Sequence, residues 1–315
     1  MSGSTLPILV VGSIALDTVR TPAGEMHDGL GGSASYFGLA AAHYCPVRMV
    51  AVVGDDFPKA HLETYRERGL DLRGLQTVEG KTFRWEGVYS EDMNDRETLR
   101  TELNVFEGFH PVLPEDYRET PCVLLANIDP LLQLEVLGQM KRPKLVALDT
   151  MNYWIVSRRE TLLEVLARVD LFLLNDSEAR LLTGCSSVLR AAEGIRMLGP
   201  SVVVIKRGDH GALVRTEDGW FSIPAFPVEE VKDPTGAGDA FAGGLLGWLA
   251  RHGGSLEEAT LRRAIAHGSA VASFVVEEFS VRGFAGLEPT RVQSRVEALW
   301  RMTQFDPRPR TDEGK

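Results

Sequence analysis

Cysteine is scarce in this sequence, with three residues in a chain of 315. Cys45, Cys122 and Cys185 are odd in number, widely spaced and set in apolar or helical contexts. A disulfide framework needs pairs of cysteines, and a structural zinc site needs closely spaced ligands, so this pattern argues against both. We expect three reduced thiols in the core.

Positive charge is also in short supply. The chain has 34 Lys and Arg against 44 Asp and Glu, which gives a formal net charge of −10 and an isoelectric point near 5.3. Duplex nucleic acid and anionic membranes attract proteins through basic faces. We therefore expect no nucleic acid and no membrane as the main partner.

Long apolar runs are missing at the start of the chain. The stretch "LPILVV" is short and follows no basic segment, which fits neither a signal peptide nor a membrane span. The sequence therefore predicts a cytoplasmic protein. Residues 304–315 are polar with two prolines, and we expect a flexible tail there.

Apolar runs of strand length recur along the chain, among them "PILVVGS", "VRMVAVVG", "KLVALDT" and "SVVVIKRG". Runs without polar alternation are typical of strands that are buried on both faces of a parallel sheet. The segments between them, such as "ETLLEVLARV", repeat apolar residues at helical spacing. This order predicts an α/β fold in three layers.

Residues 76–107 differ from the rest because polar residues alternate there with aromatic or β-branched ones, around a turn-like "SEDMND". Such alternation indicates an antiparallel hairpin with one solvated face. We expect this hairpin, with part of residues 13–30, to form a small lid. Residues 1–75 and 108–303 would then form the α/β core.

The stretch "KDPTGAGDAFAGGLLGWL" (232–249) sets a proline, glycines and an acid before an apolar helical run. Pro234 ends the preceding element, and Thr235 can cap the helix that follows. The N–H groups of residues 236–239 then lie in the first turn, where the helix dipole favours a bound anion, most often a phosphate. The pattern predicts an anion hole.

An acid beside that anion hole needs an explanation, because a carboxylate repels a bound phosphate. Asp239 can act as a general base that takes a proton from a substrate hydroxyl, which then attacks a phosphoryl group. The other interpretation is a simple helix cap with a glycine-rich entrance. A lone Gly-x-Gly-Asp favours the cap.

The same stretch resembles the C-terminal signature of the ribokinase-like (PfkB-type) carbohydrate and nucleoside kinases, Asp-Thr-x-Gly-Ala-Gly-Asp before an apolar helix, and the resemblance covers nearly the whole chain. It implies a three-layer ribokinase-like fold with a mostly parallel central sheet and a small β lid. It also implies ATP- and Mg²⁺-dependent phosphorylation of a primary hydroxyl on a sugar or nucleoside. By this match Asp239 is the catalytic base, and Gly236, Ala237 and Gly238 form the anion hole.

Other segments resemble the family in the expected order. "LGGSASYFGLAAAHY" is similar to its N-terminal di-glycine signature and places Gly31 and Gly32 under the sugar. "VVGSIALD" resembles its first strand, which implies that Asp17 holds sugar hydroxyls. "NDSEARLLTG" resembles its Asn-x-x-Glu motif, which implies that Asn175 and Glu178 lie near Mg²⁺ and phosphates.

"VIKRGDHGALV" is similar to the family's strand-turn-strand beside the nucleotide, where Lys206, Gly208 and Gly211 fall. The family places adenine near the helix that contains His267. That histidine lies in the apolar stretch "AIAHGSAVASFVV", and there a core histidine is the commoner case. Both interpretations remain open.

Two of these sites also have purely structural explanations. Asn175 and Glu178 fit an ordinary helix-capping pattern as well as a hydrated Mg²⁺ ion. Asp17 fits a solvated turn. Asp149 and Asn152 follow the carboxyl end of a strand, the usual place for ligand contacts in open α/β sheets, and are further candidates.

The substrate is less clear from the sequence. Ribokinase and the fructose phosphate kinases often read Gly-Gly-Lys-Gly-x-Asn at the di-glycine, whereas this chain has Ser33 next and Tyr36 in place of the Asn, which argues against simple ribose. An aromatic ring can stack on a base or a sugar face. In the lid, an inward Arg84 favours an anionic substrate, while inward Phe83 and Trp85 favour a nucleoside.

Several functions compete with the kinase. A catalytically silent sugar- or nucleotide-binding regulator has the same fold, but silence is expected to remove the base or fill the anion hole. A dinucleotide-dependent oxidoreductase lacks support, because "GLGGSASYFG" has no Gly-x-Gly-x-x-Gly spacing. An exposed lid edge favours a homodimer, and loops near Asp233 and at 277–283 bind a monovalent cation in parts of the family.

Overall fold

The computed structural model describes residues 4–93 and 95–305. The predicted flexible tail therefore lies, from residue 306 onwards, outside the described residues. Cys45 and Cys122 are free thiols buried in the core as expected, whereas Cys185 is a half-buried free thiol.

Strands form where the sequence has short runs of apolar and β-branched residues. In chain order they are β1 (Ile8–Val11), β2 (Ala15–Thr21), β3 (Gly24–Gly31), β4 (Val47–Gly54), β5 (Asp71–Val78), β6 (Phe83–Tyr89), β7 (Arg96–Glu102), β8 (Cys122–Leu125), β9 (Leu145–Asp149), β10 (Leu171–Asn175), β11 (Val202–Lys206), β12 (Ala212–Arg215) and β13 (Trp220–Ile223).

The larger sheet has nine strands among the described residues, in the order β13-β12-β11-β10-β9-β8-β1-β4-β5. The strands from β11 to β5 run parallel, and β12 and β13 are added antiparallel at one edge. Because helices cover both faces, the central strands are buried throughout and need no polar alternation. The predicted mostly parallel central sheet is confirmed.

The helices are α1 (Ser33–Ala41), α2 (Lys59–Glu67), α3 (Pro130–Gln139), α4 (Asn152–Ser157), α5 (Arg159–Leu166), α6 (Asp176–Thr183), α7 (Val188–Arg196), α8 (Ala237–Arg251), α9 (Glu258–Val275) and α10 (Pro289–Thr303). One face of the sheet packs on α1, α8 and α9, and the other on α3 to α7. The predicted three layers are therefore present. Over the described ranges, no helix combines the length and apolarity needed to cross a membrane.

A second sheet consists of β2, β3, β6 and β7, and we call these four strands the lid. Their order is β3-β2-β6-β7, with β2 parallel to β6 and the other pairs antiparallel. The predicted boundary at residue 76 needs correction, because residues 76–78 still pair with β4 as the end of β5. The alternation there reflects an edge strand with a half-solvated surface.

Helix α8 is packed closely between α1 and α9 through glycines. A Cβ on Gly243 would lie 2.5 Å from the Cβ of Ala40, and one on Gly247 would lie 3.0 Å from the Cα of Ala41. A Cβ on Gly244 would meet the backbone of α9 at 2.9 Å. Real Cβ atoms are rarely so close to backbone, so this packing requires glycine at these positions.

Candidate active site

The start of α8 forms a turn that requires glycine. Gly236 has a φ of +76°, in the left-handed region, and a Cβ there would overlap the ring of Tyr36. Asp233 holds this turn, because its carboxylate accepts the N–H of Thr235 at 2.9 Å and the N–H of Ser280 at 3.0 Å. The predicted cap by Thr235 is wrong, since Gly236 occupies the capping position.

The predicted anion hole uses the backbone N–H groups of residues 236–239, and the structure differs from this prediction at one of them. Ala237 donates its N–H to the carbonyl of Pro234 at 3.2 Å, so it is already bonded. The N–H groups of Gly236, Gly238 and Asp239 have no acceptor within residues 4–93 and 95–305. These three N–H groups, and not that of Ala237, are available to an anion.

Asp239 lies in the first turn of α8 and is partly exposed. Over the part of the chain that the structure describes, its carboxylate accepts no hydrogen bond. Burial, together with the negative charge of Asp149, raises its pKa to about 7, against the opposing effect of Lys206 and Arg96. A carboxylate with this pKa can take up a proton near neutral pH, as a general base must.

Lys206 and Asp149 form an ion pair of 2.6 Å beside this turn. They end β11 and β9, which flank β10 in the sheet, so the parallel topology brings them together. Burial lowers the pKa of Lys206, but the carboxylates of Asp149 and Glu178 raise it by more. The ammonium group lies against Gly238, where a Cβ would be 3.2 Å away, and so places a positive charge at the anion site.

Asn175 and Glu178 join β10 to α6 through a capping box. The side chain of Asn175 accepts the N–H of Glu178 at 2.8 Å, and the Glu178 carboxylate accepts the N–H of Asn175 at 2.7 Å. Burial raises the pKa of Glu178 to about 7. The structural explanation of this pair is therefore correct, and one oxygen of Glu178 remains outside the capping box.

A direct metal site of several ligands is absent from the described residues, where no three His, Cys, Asp or Glu side chains converge. Glu178 is 7% exposed and lies close enough to Lys206 and Asp149 for their charges to affect its pKa. Mg²⁺ keeps most of its water shell and is often held by one or two carboxylates plus phosphates. The free oxygen of Glu178 fits that mode of binding.

A cavity of about 430 Å³ opens beside the start of α8, and we call it the cleft cavity. This volume falls in the range of small-molecule sites. The predicted nucleotide residues Lys206, Gly208 and Gly211 lie on its wall. Its lining consists of Asp92, Met93, Lys206, Arg207, Gly208, Asp209, Gly211, Ala225, Phe226, Pro227, Val228, Val231, Pro234, Ala237, Gly238, Phe241, Ser269, Ala272, Ser273 and Val276.

A second group of predicted residues lies between the lid and the core. Asp17 belongs to β2 of the lid, and its carboxylate packs so closely on Gly31 that a Cβ there would overlap it. Gly32 has a φ of +93°, and a Cβ on it would meet the backbone of Ser13 at 2.5 Å. Burial raises the pKa of Asp17 to about 8. The di-glycine thus brings the backbone directly under Asp17.

Tyr36 is 2% exposed and lies against Gly236. Within the described residues its hydroxyl makes no hydrogen bond. Burial, then the charges of Asp233 and Asp17, raise its pKa. The Tyr36 ring therefore packs against the turn at residues 233–239, which we call the anion turn, and its hydroxyl lies near enough to Asp233 and Asp17 for their charges to affect its pKa.

Two predicted substrate residues have other partners. Ser33 shares its hydroxyl with Ser13 at 3.2 Å at the start of α1. Arg84 bridges Asp28 and Asp56, with 3.0 Å to the latter, and so ties the lid to the core. Both side chains are therefore bonded within the protein, and their contact with a substrate stays a prediction.

His267 is also placed away from the cleft cavity. Its ring stacks on Trp248 with centroids 3.7 Å apart and shares a hydrogen bond of 3.1 Å with the hydroxyl of Tyr44. Burial lowers its pKa to about 3. The predicted adenine contact is corrected to a core histidine, and the cavity is lined instead by Ser269 and Ser273 from the other side of α9.

Sequence reasoning gave Arg96, on β7, no specific role. Its charge lowers the pKa of Asp17, Glu178 and Asp239, so its guanidinium lies near enough to these carboxylates to affect them. Its guanidinium lies 5.4 Å from the ring centre of Trp85. The hairpin register, which the sequence does not give, places Arg96 and not Arg84 near these carboxylates.

Of the two further candidates, Asp149 joins the site through its ion pair with Lys206, while Asn152 begins α4 and is exposed.

The lid also contacts the anion turn directly. The hydroxyl of Thr235 donates to that of Tyr89, the last residue of β6, at 3.1 Å. Thr21, at the end of β2, donates its hydroxyl to the carbonyl of Lys232 at 2.7 Å. The lid therefore rests on the loop that leads into α8.

Comparison with known sequences links this chain to one family. The profile of the pfkB family carbohydrate kinases matches residues 7–285. The cytidine kinase of Thermococcus kodakarensis is 36% identical over 260 residues, which are 80% of this chain and 91% of that enzyme.

Solved structures share the fold. An Escherichia coli protein of the ribokinase II type, in complex with ATP and Mg²⁺, superimposes with a TM-score of 0.77 and 19% identity over 93% of this chain and 99% of that one. The nucleoside kinase of Burkholderia thailandensis in complex with inosine gives a TM-score of 0.76 and 22% identity, over 92% and 97% of the two chains. At such identities the likeness establishes the fold alone.

Proposed function

Because this chain belongs to the pfkB family of carbohydrate kinases and is a sugar or nucleoside kinase, we propose that it transfers the γ-phosphoryl group of ATP to the primary hydroxyl of a nucleoside. Asp239 acts as the general base. The unbonded N–H groups at the start of α8 form the anion hole.

One observation supports this proposal above all. Asp239 is a partly buried carboxylate without a hydrogen-bond donor among the described residues, in a helix turn where the N–H groups of Gly236, Gly238 and Asp239 also lack partners. Buried polar groups are normally bonded, so a set of them beside a cavity indicates a ligand. A cap, the alternative for this residue, would use the carboxylate to bind these N–H groups.

The proposed chemistry follows from the charges around the turn. Asp239 takes the proton of the acceptor hydroxyl as its oxygen attacks the γ-phosphorus. The N–H groups of Gly236 and Gly238, with the ammonium of Lys206, stabilise the charge that develops on the phosphoryl oxygens. Asp149 holds Lys206 in place at 2.6 Å. The lid excludes water when it closes.

Mg²⁺ neutralises charge on the donor phosphates when it is bound. We propose that Glu178 holds it through water with its free oxygen, while Asn175 fixes the Glu178 backbone. We also propose a monovalent cation near residues 277–283, because Ser280 of that segment donates to Asp233. Activity with and without K⁺ tests the latter.

A nucleoside is favoured as acceptor by the 36% identity to a cytidine kinase. Asp17, 7% exposed and beside the di-glycine, is suited to accept hydrogen bonds from ribose hydroxyls. The Tyr36 hydroxyl, which has no partner in the described ranges, is a further donor or acceptor there. We propose in addition that the exposed edge strand β7 pairs two copies into a dimer, and sedimentation equilibrium tests this.

The decisive experiment measures ATP consumption with Mg²⁺ across a panel of nucleosides, sugars and sugar phosphates, for the native protein and for Asp239→Asn. We expect nucleoside-dependent turnover that falls by about a hundred- to ten-thousandfold in the variant. Asp218→Asn, an exposed acid in the turn between β12 and β13, is the matched control. Ligand binding without turnover in the native protein would instead indicate the silent regulator.

A further inference from the structure

One end of the cleft cavity is apolar except for two serines of α9. Phe226, Phe241, Ala272 and Val276 form much of this end. An apolar pocket next to a phosphate site suits the base of a nucleotide. Ser269 and Ser273 are the hydroxyl groups that such a base meets.

Both serine hydroxyls already donate their proton to a backbone carbonyl. Ser269 donates to the carbonyl of Pro224 at 3.2 Å, and Ser273 donates to the carbonyl of Ala270 at 2.6 Å. A hydroxyl has one proton and two lone pairs. Both serines line the cavity, and each oxygen can therefore only accept a hydrogen bond from a ligand there.

Arg295 of α10 fixes the direction of the Ser273 proton. Its guanidinium donates to the Ser273 oxygen at 2.7 Å and to the Glu277 carboxylate at 2.6 Å. It lies 3.6 Å from the ring centre of Phe274 and 4.7 Å from that of Phe226, a wall of the cavity. Because Arg295 can only donate, Ser273 cannot turn its proton towards it.

We propose that Ser269 and Ser273 select phosphoryl donors whose base carries an exocyclic amino group, with Arg295 as a positioning residue. An amino group gives N–H donors to these two oxygens. A keto oxygen in the same place faces their lone pairs and is disfavoured. This inference rests on the proposed function, since it assumes that the cleft cavity holds the phosphoryl donor.

The test compares three donors that differ at position 6 of the purine: ATP, ITP and the triphosphate of purine riboside, which has only hydrogen there. Calorimetric titration measures binding without an acceptor, and initial rates with cytidine give kcat and KM. We expect ATP to bind roughly tenfold more tightly than the purine riboside analogue, the effect of one good hydrogen bond. ITP should bind no better than that analogue.

The variants separate recognition of the base from general damage. Ser273→Ala should lose most of the preference while its affinity for the purine riboside analogue stays within about twofold. Arg295→Lys, which keeps a donor to Ser273, should retain more of the preference than Arg295→Met. Ser294→Ala is the matched control, because Ser294 on α10 is exposed and bonds only to its own helix at 2.9 Å.

Two outcomes overturn the inference. The native protein may bind ATP and the purine riboside analogue equally, or Ser273→Ala may weaken both by the same factor. The proposed function fails in a different way, namely by an absence of phosphoryl transfer from every donor. An intact binding preference without transfer would support the serine site and reject the kinase.

Discussion

The two ends of α8 bury polar groups in opposite ways. At its start, the Asp239 carboxylate and the N–H groups of Gly236 and Gly238 lack partners within the described residues, and burial raises the pKa of the acid. At its other end, His267 stacks on Trp248 and bonds to Tyr44. Both regions contain a titratable side chain. The protein itself provides hydrogen-bond and stacking partners for His267 but not for Asp239.

The difference shows how a site can be told from a core. A buried polar group costs free energy unless it is bonded. Where the fold supplies the bond, as for His267, the group is structural. Where the fold leaves Asp239 unbonded, a ligand is the expected partner. Trp248, whose Nε1 has no acceptor in the described residues, is an exception at the structural end.

The largest losses of turnover and stability are expected from substitution of a glycine at the start of α8. Gly236 and Gly254 both have a left-handed φ, +76° and +70°, but a Cβ on Gly236 would overlap Tyr36, while one on Gly254 meets Cys122 at 3.4 Å. Gly236→Ala should lower turnover by about a hundredfold and stability by roughly 2 to 5 kcal/mol, from backbone strain and overpacking together.

Gly254→Ala is the control for backbone strain alone. It should lower stability by about 1 to 2 kcal/mol and leave kcat unchanged. Urea unfolding and steady-state kinetics of both variants measure these effects. Equal losses of activity would show that the turn before α8 has no special function.

The pH dependence of kcat/KM is the next largest effect. The pKa of Asp239 is about 7, and the base must be ionised, so kcat/KM should fall about tenfold for each pH unit below 7. The pKa of His267 is about 3, so His267→Phe should keep this limb unchanged. If the fall of kcat/KM below pH 7 disappears in His267→Phe, the titrating group is His267 and not Asp239.

Asp17→Asn tests by its effect on stability whether Asp17, like Asp239, is a buried acid that the fold leaves without a partner. The pKa of Asp17 is about 8 in the fold, against 3.8 for an ordinary aspartate. Between these values the folded chain holds a proton that the unfolded chain has lost, so stability falls as pH rises towards 8. Removing the acid should therefore stabilise the protein at pH 8, by roughly 1 to 3 kcal/mol.

Denaturant unfolding of Asp17→Asn at pH 5 and pH 8 measures this gain, which should be larger at pH 8. Asp218→Asn, which is exposed, should show no such trend. A variant that is less stable than the native protein at pH 8 would mean that Asp17 is satisfied by the fold.

The smallest effect at neutral pH is expected from His267→Phe. The folded state keeps this histidine neutral down to a pKa of about 3, while the unfolded chain binds a proton below about 6.5. Stability should therefore fall as pH drops below 6.5, by about 1.4 kcal/mol per unit at most. Thermal unfolding between pH 4 and 7 should show a shallower slope in His267→Phe than in the native protein.

Much of the fold follows from the sequence because buried parallel strands have an unmistakable pattern. The runs that contain β1, β4, β8, β9, β10 and β11 were each predicted from uninterrupted apolar residues. The lid was harder, since only β6 and β7 lie in the alternating segment. The segment "VVGSIALD" resembles a single strand in the sequence, but β1 ends at Val11 and Asp17 belongs to β2, whose pairing with β6 is long-range.

The candidate site was predictable where one motif carries the geometry, as at residues 236–239. The site was not predictable where residues that are distant in the sequence come into contact. The pairing of Lys206 with Asp149 depends on the order of the strands, and the direction of Arg96 depends on the hairpin register. The sequence left both interpretations of His267 open, because an apolar helix has several buried faces and the sequence does not show which of them meets the cavity.

The glycines of α8 have a consequence for motion. With Gly243, Gly244 and Gly247 pressed against α1 and α9, the helix has no room to slide or rotate, so the anion turn is already in place before any ligand arrives. Rearrangement on the microsecond to millisecond scale is then left to the lid. Amide hydrogen exchange should be slowest in α8 and fastest in β7, so that a rigid element bears the reacting groups and a mobile one controls access to them.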